Sequence, residues 1–148
     1  MKRILLILIF LVGFLSADTE FAKPLPTIEN PRQFVFPITT DDEDDISHVL
    51  SSASNVMKFY GPEKCEVAIV CYSKGIKAVL KTAHFFDKDI QKRVRSLMTY
   101  DVEFIACKNT LNTYKLDKKE LIKGVELVTA GIVELIERQK RGWTYIRP

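Results

Sequence analysis

The 148-residue sequence has no glycine-rich phosphate loop, no serine set in a nucleophile elbow, and no two cysteines at CxxC spacing. Without the first there is no loop whose amides cradle a nucleotide's phosphates. Without the second there is no hydrolase serine, and without the third no thioredoxin-type dithiol. Histidine is nearly absent too. His48 and His84 stand apart from any partner at metal-ligand spacing, so a solvated or core role suits them better than zinc. The acidic run Asp41, Asp42, Glu43, Asp44 and Asp45 lacks the alternation and central glycine of a calcium loop, and reads instead as the charged start of a helix. No metal and no cofactor is expected.

Only one long apolar run is present, residues 4–15, and it holds no charge. Lys2 and Arg3 precede it and the small pair Ser16 and Ala17 follow, which is the layout of a secretory signal peptide. The run is shorter than the ~20 residues a membrane-spanning helix needs. Residues 1–17 are therefore expected to be cleaved, leaving a periplasmic or otherwise exported protein with no stable membrane span. Leu15 is not the small residue preferred two positions before such a site, which keeps a retained anchor as the alternative. Removing Lys2 and Arg3 from 22 basic residues leaves 20 against 19 acidic ones, a mature net charge of +1. The basic clusters that remain, Lys92, Arg93 and Arg95 and the pair Lys118 and Lys119, lie in helical patterns where charge forms a solvated face, so nucleic acid is not an expected partner.

Residues 18–32 carry Pro24, Pro26 and Pro31 with little periodicity and read as an extended lead segment that adds little to the core. Residues 33–148 then alternate strand-like and helix-like patterns. Short β-branched or aromatic runs at residues 34–38, 67–71 and 102–107 suit buried strands. Between the first two, Ile46, Val49, Leu50, Ala53, Val56, Met57 and Tyr60 recur at helical spacing until Gly61 and Pro62 stop the pattern. Ile76, Val79, Leu80 and Ala83 predict a second helix, and Ile90, Val94, Leu97 and Met98 a third. Leu121, Ile122, Val125 and Val128 predict another, followed by Ile132, Val133 and Ile136, and residues 143–146 a final strand. Such alternation implies an α/β fold, a mainly parallel sheet covered on both faces, with ligands gathering beyond the C-terminal ends of the strands.

Three segments resemble a known family. SSASNVMKFYGPEKCEVAIVCYSKGIKAVLK (residues 51–81) is similar to the first helix and second strand of DsrE/DsrF-like (DsrEFH-like) sulfur-relay proteins. VEFIACKNTL (residues 102–111) resembles the strand that ends in the family's cysteine, and VTAGIVELIERQKRGWTYIRP (residues 128–148) its C-terminal signature. The resemblance covers residues 33–148. It implies a three-layer α/β/α domain, assembly into trimers or hexamers, and in some members a cysteine that carries sulfane sulfur as a persulfide. Cys107 occupies that cysteine's position, with Lys108, Asn109 and Thr110 also matching. One departure stands out: many relatives have a His-Gly pair after the second strand, where this chain reads Cys71, Tyr72, Ser73, Lys74 and then Gly75.

The residues add their own argument. An odd number of cysteines, Cys65, Cys71 and Cys107, leaves at least one thiol unpaired within an oxidised chain. A thiolate is the nucleophile in sulfur transfer, and turn amides plus Lys108 would favour that form at Cys107. The competing reading is an inert thiol at the end of an apolar strand. Cys71 also ends a strand, so a Cys71–Cys107 disulfide stays open if the two strands are neighbours, while Cys65 reads as a surface residue. Tyr72, Tyr114, Trp143 and Tyr145 suit core or subunit contacts better than a pocket. Three functions follow as expectations: a persulfide carrier with sulfur donor and acceptor proteins, not an independent turnover enzyme; a noncatalytic oligomeric scaffold of the cell envelope; or, third, a thiol-disulfide protein using Cys71 and Cys107.

Overall fold

The computed structural model of the chain describes residues 19–81 and 88–148, so the expected signal segment lies outside them, as do Ala83 and His84. Strand β1 (Arg32–Ile38) leads to helix α1 (Glu43–Tyr60), and β2 (Cys65–Cys71) to a 3-10 segment, Ser73–Val79. Helix α2 (Lys88–Met98), β3 (Glu103–Cys107), the one-and-a-half-turn α3 (Lys108–Thr113) and β4 (Glu126–Val128) follow. Helix α4 (Gly131–Lys140) and the two-residue β5 (Thr144–Tyr145) close the chain.

All strand pairs are parallel, in the order β4-β3-β2-β1-β5. The first three connections step the same way across the sheet, and right-handed crossovers that step one way must put their helices on one face. Ile46, Leu50, Ala53 and Met57 of α1, Ile90, Val94 and Leu97 of α2 and Leu111 of α3 accordingly pack with Phe34, Phe36, Ile69, Phe104 and Ala106 in one core. The fourth connection runs back past β1, so its helix must lie on the other face. Leu135 of α4 does, against Val35, Ala68, Val70 and Ile105. The alternation along each strand, even-numbered β1 residues to one face and Val35 to the other, is the two-residue period of a pleated strand buried on both sides.

Helix α1 starts and stops for the reasons legible in its sequence. The Asp42 carboxylate accepts the Asp44 and Asp45 amides, and the Gly61 N–H reaches back to the Met57 carbonyl. The acidic run is thus a cap and a first turn. Helix α4 is held by a buried arginine that sequence reading passed over. Arg138 donates to Glu134 at 2.7 Å and to Glu103 of β3 at 2.5 Å, and its guanidinium stacks 4.3 Å above the Trp143 ring. The lead segment stays out of the core but is pinned to it. Phe21 stacks on Phe59 with ring centroids 4.9 Å apart, and Arg32 donates to the carbonyls of Ala22 and Pro24.

Two helical expectations fail. Ile76, Val79 and Leu80 are buried at helical spacing, yet the segment is a 3-10 turn followed by an extended Leu80 bridged to Leu121. The cause is Gly75, which is tucked against the end of β1 so closely that a Cβ there would lie 2.0 Å from the Ile38 carbonyl oxygen. The stretch from Leu121 to Val128 is likewise no helix. Leu121 and Ile122 insert into the core, the chain reverses at Gly124 (φ +96°), and residues 126–128 form β4.

Candidate functional site

Helices α3 and α4 leave the C-terminal ends of the adjacent strands β3 and β4 toward opposite faces, which opens a crevice between their starts. In a parallel sheet this topological switch point is where ligands are bound. Cys107 is the last residue of β3, paired in register with Val128 of β4. It is also the N-cap of α3, and its sulfur accepts the Thr110 N–H at 3.4 Å. By strand alternation it shares the α4 face with Ile105. The facing loop supplies the Thr129 carbonyl, 3.8 Å from the sulfur, and the Gly131 amide at the first turn of α4. The Asn109 N–H ties the two sides together through the Thr129 carbonyl at 3.1 Å.

These contacts decide the ionisation of Cys107. Its partial burial alone would raise the thiol's pKa, but hydrogen bonds from the Thr110 side chain and from the Gly131, Thr110 and Asn109 amides outweigh burial and hold it below the ordinary thiol value. Lys108, expected to help, is exposed and is not among the groups responsible. The thiolate is favoured by backbone and hydroxyl donors rather than by a neighbouring cation.

Strands β2 and β3 are neighbours as a Cys71–Cys107 disulfide would need. However, Cys71 sits opposite Ala106 in register and packs in the core of the α1 face, while Cys107 faces the other way. Both are free thiols, and complete burial drives the Cys71 pKa far upward. Cys65 is a third free thiol, buried rather than on the surface, with its S–H directed at the Gly61 carbonyl at 3.4 Å. Cys107 is therefore the one thiol of the three that its surroundings activate.

The departure after the second strand places Tyr72 over the crevice. Its side chain packs against Gly131, where an added Cβ would come within 3.0 Å of it. Burial, and then Tyr145, raise the Tyr72 pKa; Arg147 opposes them, and the Cys107 charge adds a smaller upward push. Trp143 packs on the α4-face core beside it, whereas Tyr114 and Tyr145 are partly exposed to solvent. A separate recess of about 160 Å³ lies at the end of β1, lined by Ile38, Thr39, His48 and Arg147 among others, and does not include Cys107. Gly131 and Thr129 were not singled out from the sequence. Their signal was an apolar helix beginning at a glycine after a three-residue strand, too short to be recognised.

The comparisons with known proteins agree with this architecture. The model of the DsrE/DsrF-like family matches residues 33–148. MTH1491, a protein of unknown function from Methanobacterium thermoautotrophicum, is 32% identical over 79% of this chain and 99% of its own, with a TM-score of 0.72. The ychN protein of E. coli superimposes with a TM-score of 0.63 at 18% identity, over 77% of this chain and 96% of its own. BT1422 from Bacteroides thetaiotaomicron does so with a TM-score of 0.57 at 18% identity, over 76% of this chain and 91% of its own. These last two likenesses speak to the fold alone. No curated protein matches at a significant level. With its family match over residues 33–148 and its all-parallel five-stranded sheet, the chain belongs to the DsrE/DsrF-like family.

Proposed function

We propose that the chain is a sulfur carrier in which the Cys107 thiolate accepts sulfane sulfur and passes it on as a persulfide. The observation that carries the reading is the placement of one activated thiol at the β3/β4 switch point, ringed by donors from the starts of two helices. The sulfur attacks the terminal sulfane sulfur of a polysulfide or persulfide donor. One S–S bond forms as another breaks, and the shortened donor leaves with the electron pair, so no external oxidant enters. Delivery is the same exchange with an acceptor thiolate attacking the Cys107 persulfide. Because Cys107 is only 5% exposed, a slender sulfane chain suits the crevice better than a bulky donor. After treatment with inorganic polysulfide and desalting, cyanide should release close to one equivalent of thiocyanate from the parent and almost none from Cys107→Ser. Equal release from both would reject the carrier reading.

The scaffold reading draws on a different observation. Ile132, Val133 and Ile136 are each about half exposed on the outer side of α4, an apolar face that none of the described residues covers. Self-assembly through that face into trimers or hexamers is compatible with the carrier role. The proposed export rests on the charge and apolar pattern of residues 1–17; among the described residues no helix is long and apolar enough to cross a membrane. One preparation from an exporting host checks both points. N-terminal sequencing should begin at Asp18, and light scattering should give a multiple of the monomer mass. An intact Met1 in the membrane fraction would mean a retained anchor, and monomer mass across micromolar concentrations would reject self-assembly.

A further inference from the structure

The outer sides of α1 and α2 meet in a groove whose charge is of one sign. From α1 come Ser51, Ser54, Asn55 and Lys58, at positions i, i+3, i+4 and i+7, and from α2 Arg93, Ser96 and Leu97, with Tyr100 just past its end. A solvated helix face usually mixes both signs along its length. Here no carboxylate lines the groove, because the acids of both helices lie in their first turns.

Arg93 reaches across to α1. Its Nη2 donates to the Ser47 carbonyl at 3.1 Å and to the Ser51 hydroxyl at 2.8 Å, which anchors the guanidinium by one edge. Neither Arg93 nor Lys58 meets a carboxylate at ion-pair distance among the described residues. The Ser51 hydroxyl, accepting from Arg93, keeps its own proton to donate, and Ser54, Asn55 and Ser96 add donors along the same walls. Past Ser54 and Ser96 the groove continues into a second recess with an apolar wall, formed by Met57, Pro62, Leu97 and Tyr100. The two recesses hold about 260 and 270 Å³ and adjoin, since Ser54, Lys58, Ser96 and Leu97 line both. Either alone falls below the roughly 300 Å³ at which small-molecule sites begin, and joined they lie within that range. Tyr100 is 60% exposed, so its ring is not there to close the core.

We propose that this groove binds an organic anion with a short apolar tail. The carboxylate, sulfonate or phosphate head is held by Lys58, Arg93 and the serine hydroxyls, and the tail lies against Met57, Leu97 and Tyr100. Both parts are needed: a bare oxyanion leaves the apolar recess unfilled, and a neutral hydrocarbon leaves two cations unpaired. A protein partner fits less well, because eight residues line the first recess and three others complete the second, against roughly 20–30 on each side of a stable protein contact. Helices α1 and α2 cover one face of the sheet and Cys107 is turned to the other, so the inference stands apart from the sulfur chemistry.

Calorimetric titration of the purified protein tests it, with octanoate as the probe, sulfate as the head alone and 1-octanol as the tail alone. Octanoate should saturate at about one equivalent, with sulfate and octanol each about tenfold weaker or more. Lys58→Glu, an exposed substitution outside the α1–α2 contact, should weaken octanoate about tenfold, Arg93→Gln by a similar factor, and Tyr100→Ala about threefold. Ile136→Asp on α4 should leave the affinity unchanged. No saturable octanoate binding, or binding equal in parent, Lys58→Glu and Arg93→Gln, would overturn the proposal. Sulfate or octanol binding as tightly as octanoate would overturn the need for both parts. Binding lost in Ile136→Asp and kept in Lys58→Glu would place the ligand on α4 instead. A drop in mass by light scattering in Lys58→Glu would make the groove an interface between copies, which would also reject the site.

Discussion

Replacing Gly75 by alanine is expected to destabilise the domain by about 3 kcal/mol or more. A Cβ at that position would lie 2.0 Å from the Ile38 oxygen, 2.4 Å from its carbonyl carbon and 2.7 Å from the Thr39 nitrogen. All three are backbone atoms at the end of β1, so no rotamer change relieves the overlap. Either β1 or the 72–75 turn must move, and overpacking on a rigid element costs roughly 1–3 kcal/mol even where side chains can yield. The Tyr72-to-Ile38 hydrogen bond would be lost with it. Urea unfolding of parent and variant measures the difference. Ser73→Gly in the same turn is the control, since it relieves a left-handed serine and should stay within about 1 kcal/mol of the parent. A Gly75→Ala variant as stable as the parent would show that the close approach is not what shapes this segment.

The second large effect separates the three cysteines. In the folded protein near neutral pH, alkylation should fall on Cys107 and spare Cys71, with a rate ratio on the order of 10³ or more. Cys71 is wholly buried and its pKa is driven up by that burial, so it reacts only when the domain opens, an event suppressed about 10³-fold by even 4 kcal/mol of stability. Cys65, raised by burial alone but to a smaller degree, should fall between the two. The same shifts have opposite consequences for stability. The Cys107 pKa is lower folded than unfolded, so its contribution is lost as pH falls through the folded value and is fully present above the unfolded one. The Cys71 pKa is higher folded, so its contribution is present below the unfolded value and drains away as pH rises beyond it. Stability should therefore decline above the ordinary thiol range in the parent, and less steeply in Cys71→Ala. Mass mapping after timed alkylation checks the ratio, and rapid native labelling of Cys71 would refute the placement of β2 at the centre of the sheet.

What could be read from the sequence was whatever the sheet's burial writes plainly. Central strands buried on both faces must be continuous apolar runs, and residues 34–38, 67–71 and 104–107 are. Helix α1 declared its cap, its buried stripe and its stop because each is a local interaction. The 3-10 turn and the edge strand β4 were not legible because their causes are remote. Helical spacing at Ile76, Val79 and Leu80 is produced by a turn pressed onto β1, and the spacing from Leu121 to Val128 by a loop that plugs the core before joining the sheet's edge.

The site followed the same division. Cys107 stood out because a strand-end cysteine is visible in the chain itself. Its activating partners did not, since Gly131 and Thr129 approach it from more than twenty residues away, across a strand order that only the fold supplies. Lys108 was named for adjacency in sequence, and adjacency at a strand-to-helix turn sends consecutive side chains in different directions. The Cys71 alternative failed through the same two-residue period: neighbouring strands brought the residues near, and the pleat turned them apart.

The central claim is that Cys107 alone carries sulfur, and intact mass with peptide mapping tests it most directly. Reduced parent, Cys65→Ser, Cys71→Ser and Cys107→Ser are each exposed to inorganic polysulfide and desalted. The parent and the first two variants should gain the mass of one or more sulfur atoms on the peptide containing Cys107, and Cys107→Ser should gain none. Loading of Cys107→Ser equal to that of the parent would contradict the account.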